Sequence, residues 1–83
     1  MTIRERLRAF ILEVFYLSDP DELTDDVSLI SSGIVDSTGM LEVIVFIESE
    51  FGIEVHDREV LPSNLESIDK IADFVERKRQ ARE

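Results

Sequence analysis

Asp36 and Ser37 stand side by side at the mouth of a strongly apolar stretch, G-I-V-D-S-T-G-M-L-E-V-I-V-F-I-E-S-E-F-G, residues 33–52. The short carboxylate of Asp36 is of the type that caps free backbone N–H groups at a helix start. Ser37 then falls in the first turn, where those N–H groups and the positive end of the helix dipole favour a bound phosphate. A hydroxyl there is well placed to carry a phosphodiester. Ser31 and Ser32 lie nearby in a loop, without the aspartate-before-helix context. A strand-to-helix hydrolase elbow would need glycine two positions before the serine, and that position is Val35. His56, the only histidine, has no second histidine and no cysteine with which to share a metal, and reads as a loop or surface residue. The acid-rich D-P-D-E-L-T-D-D of residues 19–26 lacks the glycine and the closing glutamate of a calcium loop. Zinc, P-loop and dinucleotide motifs are missing as well. No metal site and no catalysis by the chain itself are expected.

The elements that must position this pair follow from periodicity. Residues 2–17 read as a first helix, with Thr2 and Glu5 at capping-box spacing and Ile3, Leu7, Phe10, Ile11, Val14 and Leu17 on one face. Asp19-Pro20 opens a long connection, in which Leu29 and Ile34 are expected to pin the chain over the bundle ends. The second helix, residues 37–51, would be about 22 Å long and end at Gly52 in a left-handed stop. Met40, Leu41, Val43, Ile44, Val45, Phe46, Ile47 and Phe51 cover more than one of its faces, which suits a central position packed from several sides. Asp57 is placed to cap a brief helical turn that Pro62 ends, with Ser63-Asn64 as a turn. Ser67 caps a last helix with Ile68, Ile71, Ala72 and Val75 inward and Phe74 beside them. Its basic end, E-R-K-R-Q-A-R-E, complements the helix dipole, and reads as a frayed end or a recognition tail.

Composition narrows the class. Eighty-three residues make one small domain with core enough for a few helices. Without cysteine, any thioester chemistry must borrow its sulfur from a prosthetic group. No apolar run is long enough for a membrane span or a secretory signal, so no membrane insertion and a cytoplasmic location are expected. The net charge of −10 is uneven: residues 18–66 hold thirteen acids against Arg58 alone. Such a middle repels nucleic acid and steers toward basic protein surfaces.

On these residues the chain resembles the acyl carrier protein family. D-S before an apolar helix, the E-F-G-I-E-V that ends it, and the order helix, long acidic loop, helix, short helix, helix carry the likeness over about residues 3–77. The resemblance implies an all-α, four-helix bundle, with three longer helices and one short one. Residues 1–83 would form a single carrier domain with an ordered core of about 3–77, acting as a monomer. It implies phosphopantetheine, taken from coenzyme A and attached to Ser37, with Asp36 as the adjacent motif acid used by the phosphopantetheinyl transferase. Further partners would be a loading ligase for acyl or aminoacyl cargo, and downstream acyltransferase or synthase enzymes with basic docking surfaces. Glu42, Glu48, Glu50 and Thr38 fall where family members meet partners. Met40, Ile44 and Ile47 read from the sequence as ordinary core, which the family uses to shelter an attached acyl chain.

Fatty-acid carriers usually have leucine after the serine, whereas Thr38 and Gly39 stand here. That resembles D-alanyl and other discrete carriers served by adenylate-forming ligases. The expectation is therefore a carrier of thioester-bound acyl intermediates of lipid metabolism in a specialised pathway, or alternatively an aminoacyl carrier. The competing class is an unmodified acidic helical adaptor read by partners through its surface alone.

Overall fold

A computed structural model describes residues 1–81. The first helix, α1 (Ile3–Val14), opens with the reciprocal cap that its sequence spells out. The Thr2 hydroxyl accepts from the Glu5 N–H at 3.1 Å, and the Glu5 carboxylate accepts from the Thr2 N–H at 2.8 Å. Leu7 and Ile11 are fully buried from its inner face. The helix stops three residues short of the expected end. Phe15 adopts an extended backbone (φ −111°, ψ 143°), Val14 is exposed and Leu17 is half-buried. The reason lies in Phe15, whose ring turns inward to meet Phe10 edge-on, with centroids 6.3 Å apart and planes at 82°. Burying that ring outweighs one more turn of helix, for which the adjacent aromatic pair has poor propensity. Tyr16 is left in solvent, 87% exposed.

The connection that follows is ordered by its own backbone. Asp19 caps a 3-10 turn at Pro20–Glu22, accepting from the Asp21 N–H at 3.0 Å. The Leu29 N–H donates to the Glu66 carbonyl at 2.9 Å, and the Asp69 N–H donates to the Asp25 carbonyl at 2.8 Å. The loop is thereby stitched to the far side of the bundle. Leu29 is fully buried as expected, but the second pin is Val35, not Ile34, which is only half-buried. Gly33, at φ 83°, supplies the left-handed turn between Leu29 and Val35 that a side chain would disfavour.

The second helix, α2 (Ser37–Phe51), has the boundaries that the sequence predicts and ends at Gly52 (φ 67°, ψ 36°), whose N–H donates to the Glu48 carbonyl. It packs on the last helix and, through Phe46 on Phe10, on α1, but one side stays open to solvent. Its buried face is Gly39, Met40, Val43 and Ile47, while Leu41 and Val45 are each 62% exposed. A 3-10 turn at Asp57–Glu59 leads to a single-turn helix, α3 (Pro62–Leu65). Pro62 thus starts a helix and does not end one, because its missing N–H would have no partner in a first turn anyway. Ser63 and Asn64, expected as a turn, lie inside that helix.

The last helix, α4 (Ile68–Ala81), is capped by Ser67, whose hydroxyl accepts from the Lys70 N–H at 3.2 Å. Ile68, Ile71, Ala72, Phe74 and Val75 are all buried, and the other three helices pack on α4. It runs to Ala81 and so takes in most of the basic end, of which Arg82 and Glu83 lie outside the described residues. Among the described residues the chain is all-helical, with four α-helices and no strand. The arginines of α1, which the periodicity places off the core, act as clips. Arg4 pairs with Asp69 at 2.8 Å, Arg6 with Glu50 of α2, and Arg8 with Asp25 of the loop. Each is a partly exposed pair worth about 0–1 kcal/mol, so they set register more than stability.

Candidate functional site

The site grows from the turn that starts α2. Asp36 has extended backbone, and its Oδ1 accepts from the Gly39 N–H at 2.6 Å, while the Met40 N–H donates to the Asp36 carbonyl at 2.9 Å. The cap therefore consumes the third and fourth donors of the helix start. The Ser37 and Thr38 N–H groups have no partner among the described residues, and both side chains are exposed. An anion on the Ser37 hydroxyl would meet unspent donors and the positive helix end. The hydroxyl makes no hydrogen bond that would have to be broken first, so the residues present fit a phosphodiester there.

Gly39 is packed tightly in this turn. A Cβ built on it would lie 2.6 Å from Cε1 of Phe15 and 3.1 Å from Oδ1 of Asp36. The Phe15 ring, carried there by the early end of α1, closes over the helix start and fixes the turn bearing Ser37. Sequence reading did not pick out Phe15. The available signal was a glycine in an early helical turn, where nothing in the local propensity asks for one.

Beside the turn lies an apolar pocket of about 290 Å³, walled by Ile30 of the loop, Met40 of α2, and Val60, Leu61, Pro62 and Leu65 around α3. Met40 is the one member of the expected cavity set that lines it. Ile47 is fully buried in the core and Ile44 half-buried, and neither reaches this pocket. The wall is anchored by the end of α4. Lys78 donates to the Glu59 carboxylate at 2.9 and 3.0 Å, and Arg77 donates to the Asn64 side-chain oxygen at 3.0 Å. That carboxylate also accepts from the His56 N–H at 2.9 Å. The His56 backbone donor, and then Lys78, hold Glu59 below the usual carboxylate range. The basic end of α4 therefore has structural work to do on this side of the molecule.

The three acids expected to meet partners differ in their freedom. Glu42 is exposed and has no ion-pair or hydrogen-bond partner among the described residues. Glu50 is paired with Arg6. Glu48 is half-buried and accepts from the Val55 N–H at 2.9 Å, tying the end of α2 to the segment after it. His56 is exposed, and the described residues hold no cluster of metal-ligating side chains.

A capped helix start with an exposed serine, next to a small apolar pocket, fits the class of carriers that bear a group on a serine. The comparisons with known proteins give that class its family. The family model described as "Phosphopantetheine attachment site" matches residues 5–75, and the chain belongs to this family of carriers with a covalently attached phosphopantetheine. The acyl carrier protein of Thermosynechococcus vestitus is 28% identical over 76 residues, 92% of this chain and 90% of its own length. A chain in the solved structure described as the crystal structure of an FAD-dependent dehydrogenase superposes with a TM-score of 0.73. That match covers 83% of this chain and 97% of the other, at 23% identity, and bears on fold alone.

Proposed function

We propose that Ser37 is the phosphopantetheine attachment residue and that the chain shuttles thioester-bound acyl intermediates between biosynthetic enzymes of a specialised pathway. The observation that carries this reading is the exposed, unbonded Ser37 hydroxyl at the Asp36-capped start of α2 in a phosphopantetheine carrier fold. Phosphopantetheine, when bound, supplies the flexible arm and the terminal thiol that the cysteine-free chain lacks. The protein's own part is to hold the attachment oxygen at a fixed turn, offer N–H groups to the phosphate, and bring cargo to partners at high effective concentration. Met40 and the pocket beside it give a short or folded-back cargo an apolar resting place. The transferase, the loading ligase and the acyltransferase or synthase partners belong to this reading, as does a cytoplasmic monomer.

The choice of a specialised pathway over bulk fatty-acid synthesis rests on the residues after the serine. Thr38 is exposed where fatty-acid carriers present leucine, and Gly39 is held under the Phe15 ring. The same feature supports an aminoacyl cargo loaded by an adenylate-forming ligase as the second reading. The test is intact mass after incubation with coenzyme A and a broad-specificity phosphopantetheinyl transferase, with Ser37→Ala alongside. One added phosphopantetheine on the wild type and none on Ser37→Ala is the expected outcome. Loading that persisted on Ser37→Ala would move the site to another serine. Offering the loaded protein to a fatty-acid ketosynthase then tests the pathway, and efficient elongation would rule out the specialised reading.

A further inference from the structure

α1 stops where its last side chains are left in water. Phe15 closes the final backbone bond of the helix, its N–H donating to the Ile11 carbonyl at 2.9 Å, and then turns to extended backbone. On either side of it Val14 is 44% and Tyr16 87% exposed. What the early stop secures is the place of the Phe15 ring. A Cβ on Gly39 would lie 2.6 Å from Cε1 and 3.1 Å from Cζ of that ring, and 3.1 Å from Oδ1 of Asp36. The ring, the capping carboxylate and the buried Gly39 backbone thus converge on one point. The bond that fixes the turn bearing Ser37, from the Gly39 N–H to Asp36, is made there at 2.6 Å. The ring is braced in its turn. It meets Phe10 edge-on at 6.3 Å, and Phe10 stacks on Phe46 with centroids 4.2 Å apart and planes at 13°. That brace returns to α2, so the ring is held against the same helix that carries Ser37.

We propose that Phe15 is a positioning residue for the transfer of phosphopantetheine to Ser37, acting through Gly39 and Asp36 and not on the reacting atoms. The inference rests on Ser37 being the attachment residue and deepens that reading by naming what holds the nucleophile in place. In the transfer the Ser37 oxygen bonds to the phosphorus of coenzyme A that bears the pantetheine. The bond from that phosphorus to the bridging oxygen breaks, and adenosine 3′,5′-bisphosphate leaves with the electron pair. The hydroxyl proton passes to a base of the transferase. Such a displacement needs the attacking oxygen in line with the bond that breaks, and an error of about 1 Å can cost on the order of a hundredfold in rate. The exposed Ser37 hydroxyl has no partner among the described residues, so the turn beneath it sets where the oxygen lies. A ring packed over the Asp36–Gly39 bond keeps water from it and keeps that turn closed. Glycine at position 39 has the same purpose, since a side chain there would displace the ring.

The measurement is loading of Ser37 from saturating coenzyme A by the broad-specificity phosphopantetheinyl transferase, with initial rates taken against carrier concentration. Amide exchange at Gly39 is followed on the unloaded protein, and every variant is read well below its thermal midpoint. Phe15→Leu replaces the ring by a smaller apolar side chain. It is expected to lower kcat about tenfold with KM held, and to quicken exchange of the Gly39 N–H by a similar factor. Gly39→Ala should lower kcat as well, by driving a methyl group into the ring. Combined, the two should recover most of the rate, because the methyl group takes the space that the ring gave up. A coupling of that sign belongs to the contact itself. Val75→Ala, on the buried face of α4, controls for lost stability and should leave kcat unchanged. A kcat unmoved by Phe15→Leu would overturn the proposal. Equal losses in Phe15→Leu and Val75→Ala would also overturn it, making Phe15 ordinary core. A raised KM at constant kcat would do the same, making Phe15 a contact of the transferase. Wild-type protein that is never loaded at Ser37 would bring down the attachment reading and this inference with it, an outcome distinct from the other three.

Discussion

Replacing Gly39 by alanine ought, by helix propensity, to stabilise α2 by about 1 kcal/mol. The packing reverses the sign. With Cε1 of Phe15 2.6 Å from the new methyl group, either the ring or the turn must move, a strain that typically costs about 1–3 kcal/mol. Gly39→Ala is therefore expected to lower the thermal midpoint, and Phe15→Leu on the same background should recover part of the loss. A higher midpoint for Gly39→Ala alone would show that the ring yields freely. Asp36 works in the same turn by a different force. Removing its carboxylate in Asp36→Ala leaves the Gly39 N–H without its 2.6 Å partner and should cost about 1 kcal/mol. For a domain of this size that is a fall of roughly 4–8 °C in the midpoint, measured by circular dichroism.

The two ends of α2 were legible in the sequence because each is a local event. Asp36 caps the N–H of Gly39, three residues on, and Gly52 reverses the chain with its own φ. The capping box of Thr2 and Glu5 and the cap at Ser67 are of the same kind. The end of α1 was not legible, since Phe15, besides meeting Phe10, closes over Gly39 of α2, and no short window along the chain contains all three. The same distance hides the exposure of Leu41 and Val45: an apolar helix reads as buried on every side until its neighbours are counted. The place of Ser37 in the first turn of a capped helix could be read, whereas the freedom of Glu42 and the engagement of Glu48 and Glu50 depend on Val55 and Arg6. The Glu48 carboxylate holds the chain leaving α2 against the helix through the Val55 N–H. Glu48→Ala should cost about 1 kcal/mol by leaving that half-buried donor unpaired, and amide exchange at Val55 should quicken. Unchanged exchange would show that the donor finds water without loss.

At the scale of the whole molecule, an acidic middle is held between basic ends. Arg6, Arg8 and Lys78 reach from α1 and α4 to Glu50, Asp25 and Glu59 of that middle, while Arg4 ties the two ends together through Asp69, so the uneven charge along the chain becomes cross-element pairing in the fold. Acid acts on this arrangement in a definite direction. Glu59 and Glu5 are both held below the ordinary carboxylate value of 4.5, Glu59 by the His56 N–H and then Lys78, Glu5 by its bonds to Thr2. The unfolded chain therefore takes up these protons first. The stabilisation is complete above about pH 4.5 and is lost as pH falls through the lower, folded values. Urea midpoints should decline below pH 4.5 less steeply in Glu59→Gln than in the wild type, and equal slopes would mean that Glu59 titrates as it does in the unfolded chain. Following such transitions raises a matter of light. The chain has no tryptophan and one tyrosine, and that Tyr16 phenol is bathed in water while the protein is still folded. Unfolding changes its surroundings little, so emission from the protein stays nearly dark to the loss of the core. A partner that covered the end of α1 would change that emission at once, giving an unlabelled optical signal for encounters and almost none for melting.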